Sequence, residues 1–251
     1  MRLFISLFIL SWFCCTATAS KDYEKIIRET PSDSVEKLIL LKNEYLSYIK
    51  QEYDIKNSYE VFNQAGLLYY SKNLPHFAEI FFYEALLAAE ISGDSERQGE
   101  MLSNIGVMRE IQGDFAGALK QYQEALQLFI KTDNIKSQSL VYNNIAVMHQ
   151  ELGNQDLAYV NLHKSYSLKI LTGDESHTAS ALNNLGVYHD EVTGINDSAL
   201  HYYKKAHDIY VNLNNNPNIA ISQGNMAIIH IRTGNFEIAR DLLDKAIDYY
   251  S

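Results

Sequence analysis

The chain has 251 residues, 47% of them hydrophobic, and 21 basic against 31 acidic side chains give it a formal charge of −10. Such a surface repels nucleic acid and anionic lipid, so neither is an expected partner, while basic proteins or peptides suit it. With two cysteines and three prolines, it is expected to be a largely helical chain rather than a disulfide-built one.

The first segment, "MRLFISLFILSWFCCTATAS", combines Arg2, an apolar run over residues 3–13 and the small triplet Ala17-Thr18-Ala19. This is the layout of a secretory signal peptide over residues 1–19, with cleavage expected after Ala19. The apolar run is short of the ~20 residues a bilayer-spanning helix needs. A secreted or periplasmic product without membrane contact after cleavage is therefore expected, and an uncleaved N-terminal anchor is the alternative. Both cysteines, Cys14 and Cys15, lie in this segment, so residues 20–251 depend on core packing alone.

Residues 20–57 read as a helical capping region, a degenerate half repeat. Within it "SDSVEKLILLKNEYLSYI" (32–49) predicts one amphipathic helix. Ser32 or Asp33 would cap it, and Val35, Leu38, Ile39, Leu41, Leu46 and Ile49 would form its apolar face.

Beyond residue 57 the chain repeats itself. A small residue recurs as Gly66, Gly106, Ala146, Gly186 and Ala227, at intervals of 40, 40, 40 and 41. The extra residue is placed in the turn near Gly194. Downstream of each small residue come three further columns. They are Ala78, Ala118, Ala158, Ala199 and Ala239; Phe82, Tyr122, Leu162, Tyr203 and Leu243; and Ala85, Ala125, Ser165, Ala206 and Ala246. Helical spacing interrupted by Gly-Asn or Gly-Asp predicts two antiparallel helices per unit, with Gly113, Gly153, Gly194 and Gly234 ending the first helix. No unit buries its apolar faces alone, so the units must stack. Their bounds are 58–97, 98–137, 138–177, 178–218 and 219–251, the last incomplete and uncapped.

The Gly/Ala, Ala-x-x-x-aromatic-x-x-Ala columns resemble the tetratricopeptide repeat (TPR), in a form with a period near 40 residues, without the Trp and closing Pro of the common 34-residue unit. This longer period is similar to that of kinesin light chains and bacterial peptide-sensing regulators. The resemblance implies an all-α, right-handed helical-hairpin solenoid, a superhelix with a concave groove.

Asparagines stand inside the first helix of the units, before the small residue: Asn104, Asn144, Asn184 and Asn225, flanked by Asn63, Ser103, Asn143 and Asn183. Asn costs about 0.5–0.7 kcal/mol against Ala in a helix interior, so their recurrence needs a reason. Asn144 and its counterparts sit about 200° around the helix from the small residue, on the groove side. A carboxamide both donates and accepts and can grip a peptide backbone. In the family resembled, asparagines at matching positions contact bound peptide. Bonding between neighbouring helices is the competing reading. Glu100, Glu110, Glu151, Asp190 and Glu191 add acidic edges, and Val107, Val147 and Val187 an apolar strip, which would suit a segment carrying Lys or Arg. A solvated acidic face is the bland alternative.

His149, His189 and His230 share a column. Adjacent helices are about 8–10 Å apart, too far for three ligands each ~2.0–2.1 Å from one zinc ion. Semi-buried histidines are expected, with neither metal nor cofactor. The sequence contains no phosphate loop, H-E-x-x-H or G-x-S-x-G motif, so no catalytic residue is expected. Three functions fit: an exported TPR scaffold binding an extended or helical peptide; the sensory input domain of a bacterial histidine kinase or helix-turn-helix regulator; or a structural subunit self-associating through Leu243 and Ile247 of the last helix.

Overall fold

The computed structural model describes residues 22–32 and 34–248, which are all-α; the expected signal segment lies outside them, as does Asp33. Among the described residues no helix is long and apolar enough to cross a membrane. The chain divides into two compact units, one ending at Leu128 and the other beginning at Phe129.

In the first unit, α1 (residues 22–29) precedes α2 (Val35–Glu52). The N-cap of α2 is Ser34, whose side chain makes no capping bond, so the helix begins later than the Ser32 or Asp33 expected. Its buried face is Leu38, Leu41, Tyr45 and Ile49. Ile39, expected on that face, is exposed, while Tyr45, not expected there, is buried and its ring stacks on Tyr23 at 5.3 Å. Lys72 secures the segment after α1 by donating to the carbonyls of Arg28 and Thr30, the latter at 2.8 Å. Two hairpins follow, α3 (Tyr59–Ser71) with α4 (Pro75–Ser92), and α5 (Ser95–Ile111) with α6 (Phe115–Lys131), whose last residues enter the second unit.

The second unit continues with α7 (Ile135–Glu151) and α8 (Gln155–Leu171), then α9 (Glu175–Tyr188) and α10 (Asn196–Asn212), then α11 (Asn216–Arg232) and α12 (Phe236–Asp248). Its core runs through the predicted columns: Ala146, Ala158 and Leu162 pack with Leu185 and Tyr188, and Ala199 and Tyr203 with Met226 and Ile229.

Punctuation between helices follows a local rule. At most junctions a residue in the left-handed region ends one helix and an Asp or Asn caps the next, whereas Leu74 and Ile195 stand at the N-caps of α4 and α10. Gly93 (φ 74°) precedes Asp94, whose carboxylate accepts from the Glu96 and Arg97 amides; Asp133 (φ 53°) precedes Asn134, whose Oδ1 accepts from the Ser137 amide. Such a cap is worth ~1 kcal/mol. The extra residue of the fourth repeat sits in a π-helical turn, His189–Thr193, between α9 and the left-handed Gly194. At α12, Phe236, Ile238 and Ile247 are half or more exposed and Leu243 is partly so.

Candidate functional site

The asparagines are half-buried, Asn143 and Asn144 on α7, Asn183 and Asn184 on α9, and Asn225 on α11. Side chains from consecutive repeats join diagonally. Asn184 Nδ2 donates to Asn143 Oδ1 at 2.6 Å, and Asn225 Nδ2 donates to Asn183 Oδ1 at 3.2 Å. A net gain of about 1 kcal/mol per amide bond roughly offsets the helix-propensity cost of about 0.5–0.7 kcal/mol for each of the two asparagines it joins. The pairs thus use both asparagines of Asn183-Asn184, which bond the repeat after and the repeat before, and the first of Asn143-Asn144.

Pairing does not exhaust these groups. Among the described residues, Asn143 and Asn183 keep free N–H donors, Asn184 and Asn225 keep free carbonyl oxygens, and Asn144 makes no side-chain hydrogen bond. None of these atoms is sealed from solvent. In the first unit Asn104 holds the equivalent position on α5 and is likewise half-buried. Asn184→Ala is expected to cost about 0.5–1 kcal/mol, because it leaves Asn143 without its donor. Asn144→Ala is expected to be neutral or to stabilise by about 0.5 kcal/mol through helix propensity. Urea midpoints of the two variants check this difference in sign.

The carboxylates divide into two kinds. Glu110 accepts from the Tyr122 hydroxyl at 2.8 Å. Asp190, in the π turn, pairs with the Arg232 guanidinium, which also donates to Asn196 Oδ1 at 2.8 Å. Glu100 accepts from Tyr59 at 2.8 Å, and burial, then this carboxylate, push the Tyr59 phenol up from its ordinary pKa. Glu151 and Glu191 are exposed. Val107, Val147 and Val187 are half-buried. The Arg232–Asp190 and Tyr59–Glu100 pairs escaped sequence reasoning. The signal for both was a separation close to one repeat, 42 and 41 residues.

The histidine column does not converge. His149 is buried at the end of α7 with Nδ1 unbonded, and His230 Nδ1 is likewise buried and unbonded. His189 stacks on Tyr202 at 5.3 Å and 4°. Burial lowers the pKa of His149, and also of His189, where the charge of His163 adds to it. Among the described residues no three His, Cys, Asp or Glu side chains are grouped to hold a metal ion.

Paired helices with small-on-large columns and a row of amides on the first helix of each hairpin define a TPR-type solenoid. Residues 191–251 match the tetratricopeptide-repeat family model. No curated protein sequence matches it significantly. Among solved structures it is similar to BtubC (BKLC) from P. vanneervenii, with 18% identity and a TM-score of 0.71, over 89% of this chain and 91% of that one. It is also similar to a Rap protein complexed with Competence and Sporulation Factor, at 14% identity and a TM-score of 0.68, over 93% and 76% of the two chains. A third is the STAND signal-transduction ATPase PH0952 from Pyrococcus horikoshii, which has a tetratricopeptide-repeat sensor. There identity is 13% and the TM-score 0.67, over 96% of this chain and 39% of that one. At such identities the likeness is one of fold.

Proposed function

We propose that the protein is a non-enzymatic, exported scaffold that binds a peptide segment along the asparagine-bearing face of its first helices. The observation that carries this reading is the leftover hydrogen-bonding capacity of the amide row. Successive repeats of the second unit offer a free donor at Asn143 and Asn183 and a free acceptor at Asn184 and Asn225. A polypeptide backbone presents the complementary groups along its length. Glu151 and Glu191 beside that row favour a basic segment. The complex of a similarly folded Rap protein with Competence and Sporulation Factor supports the use of this fold for a protein or peptide ligand.

Panning a random peptide library against the protein tests the reading. Selected peptides are expected to be enriched in Lys and Arg, and to bind Asn144→Ala at least tenfold more weakly than wild type with the melting temperature not lowered. Peptides that bind both proteins equally would place the site elsewhere. The export component rests on the Arg2, apolar run and Ala17-Thr18-Ala19 layout, and an intact mass beginning at Ser20 in an exported fraction is its expected signature. Self-association through α12 is a second reading, favoured by the exposure of Phe236, Ile238 and Ile247. Under it, Ile247→Lys is expected to dissociate the oligomer.

A further inference from the structure

Within the second unit the repeats supply an internal control for α8, whose exposed stripe is more apolar than that of α6 or α10, although α4 also carries Phe77, Ile80 and Ile91 at the matching places. Its residues Leu157, Val160, Lys164, Leu168 and Leu171 fall on one stripe at helical spacing. Leu157, Val160 and Leu171 are 49%, 46% and 72% exposed. The equivalent stripe on α6 is Gly117, Lys120, Glu124, Leu128 and Lys131, and on α10 it is Ser198, His201, Lys205, Ile209 and Asn212. Both neighbours fold into the same hairpin with mainly polar residues there, so the hairpin fold does not demand the apolar residues of α8.

Beside this stripe the second unit has an open hollow of about 500 Å³, within the range of about 300–1,000 Å³ typical of ligand pockets. Tyr142 of α7 and Tyr159, Val160 and Leu168 of α8 give it apolar walls, and Lys164 lies at the same site. The Lys164 ammonium stands 5.2 Å from the centre of the Tyr142 ring and pairs with no carboxylate among the described residues. Although the protein as a whole carries a charge of −10, a cation over an aromatic floor, flanked by exposed leucine and valine, is locally complementary to an apolar group that carries a negative charge.

We propose that this face of α8 is a second docking surface, distinct from the amide row. It takes a protein segment that places an apolar side chain in the hollow and an adjacent carboxylate on Lys164. The demand of the two faces is opposite in sign. The amide row with Glu151 and Glu191 suits basic segments, whereas α8 suits an acidic and apolar one. The surface does not depend on the amide row being occupied.

The test is an NMR titration of the full chain with N-acetyl-phenylalanine, and with N-acetyl-phenylalaninamide, which keeps the ring and removes the charge. Expected are shifts centred on Tyr142, Val160, Lys164 and Leu168. They should saturate at an at least fivefold lower concentration for the carboxylate than for the amide, and this difference should vanish in Lys164→Met. Val160→Lys copies the residue α6 already has at this place. It should leave the unfolding midpoint unchanged while abolishing the shifts. Equal response to both probes, shifts scattered over the surface, or loss of folding in Val160→Lys would overturn the proposal. So would binding to phosphatidylglycerol vesicles that Val160→Lys removes, which would make the occupant a lipid surface. A concentration-dependent dimer lost in the same variant would make it a second copy of the chain.

Discussion

Gly186→Ala is expected to destabilise the protein by about 2 kcal/mol, although Ala is the better helix former by about 0.8–1.0 kcal/mol. A methyl group built on Gly186 would lie 2.5 Å from Cδ1 and 2.6 Å from Cε1 of the Tyr203 ring. That ring is 2% exposed, so it has no open space into which to retreat, and overpacking of this kind costs ~1–3 kcal/mol. Gly66 faces Phe82 and Gly106 faces Tyr122 in the same manner, at 2.5 and 2.6 Å. Where the partner is Leu, the small residue is Ala: Ala146 with Leu162, and Ala227 with Leu243. Volume is thus conserved across each hairpin, glycine against a ring and alanine against a leucine. Combining Gly186→Ala with Tyr203→Leu should therefore cost less than the two changes summed, by at least about 1 kcal/mol. Urea unfolding of the two single variants and the double variant measures the coupling, and simple additivity would refute the lock.

Mild acid is expected to loosen the second unit and spare the first. Seven of the eight histidines fall in residues 129–251, and His76 alone falls earlier. Burial holds His149, His163, His189 and His207 below the ordinary histidine pKa of 6.5. At His189 the charge of His163 acts in the same direction; at His207 Asp208 and the Ile219 backbone oppose the shift, and Lys245 adds to it. A histidine kept neutral in the folded state takes up its proton more readily once unfolded. Its contribution is therefore fully present above the unfolded pKa and is lost as pH falls below about 6.5. Hydrogen exchange at pH 7.5 and 5.5, corrected for intrinsic rates, should show protection falling in α7 to α11 and little changed in α3 to α5. His149→Leu should reduce that pH dependence, because its Nδ1 is buried without a partner. Equal loss in both units would remove the histidines as the cause.

Much of the fold was legible because a solenoid writes the same instruction several times. Ala78, Ala158 and Ala199 could be aligned by eye, and each is fully buried. The start of α2 was less legible: it occurs once, its Ser34 cap makes no side-chain bond, and Ile39 sits where periodicity alone suggested core. For the asparagines, sequence identified the rows but not their use. Helical rotation placed Asn144 and Asn184 on one face. Whether an amide meets another amide or solvent depends on the diagonal offset between stacked helices, which no single helix encodes. Glu110 and Asp190 were legible as carboxylates, yet their partners Tyr122 and Arg232 come from other helices.

The wide turn at His189–Thr193 bears on how such an array tolerates change in length. One added residue rotates everything after it on an α-helix by about 100°, enough to carry Ala199 and Tyr203 off their contacts. Here the surplus is taken up within a single π turn before Gly194, and α10 still presents Ala199, Tyr203 and Ala206 to the core. The turn acts as a phase corrector, isolating the following helices from the insertion. Removing one residue from this stretch should let the turn tighten to α geometry and leave α10 and the downstream α11–α12 hairpin in register. The same deletion within α9, upstream of Gly186, would put the Asn183 and Asn184 pairs out of step.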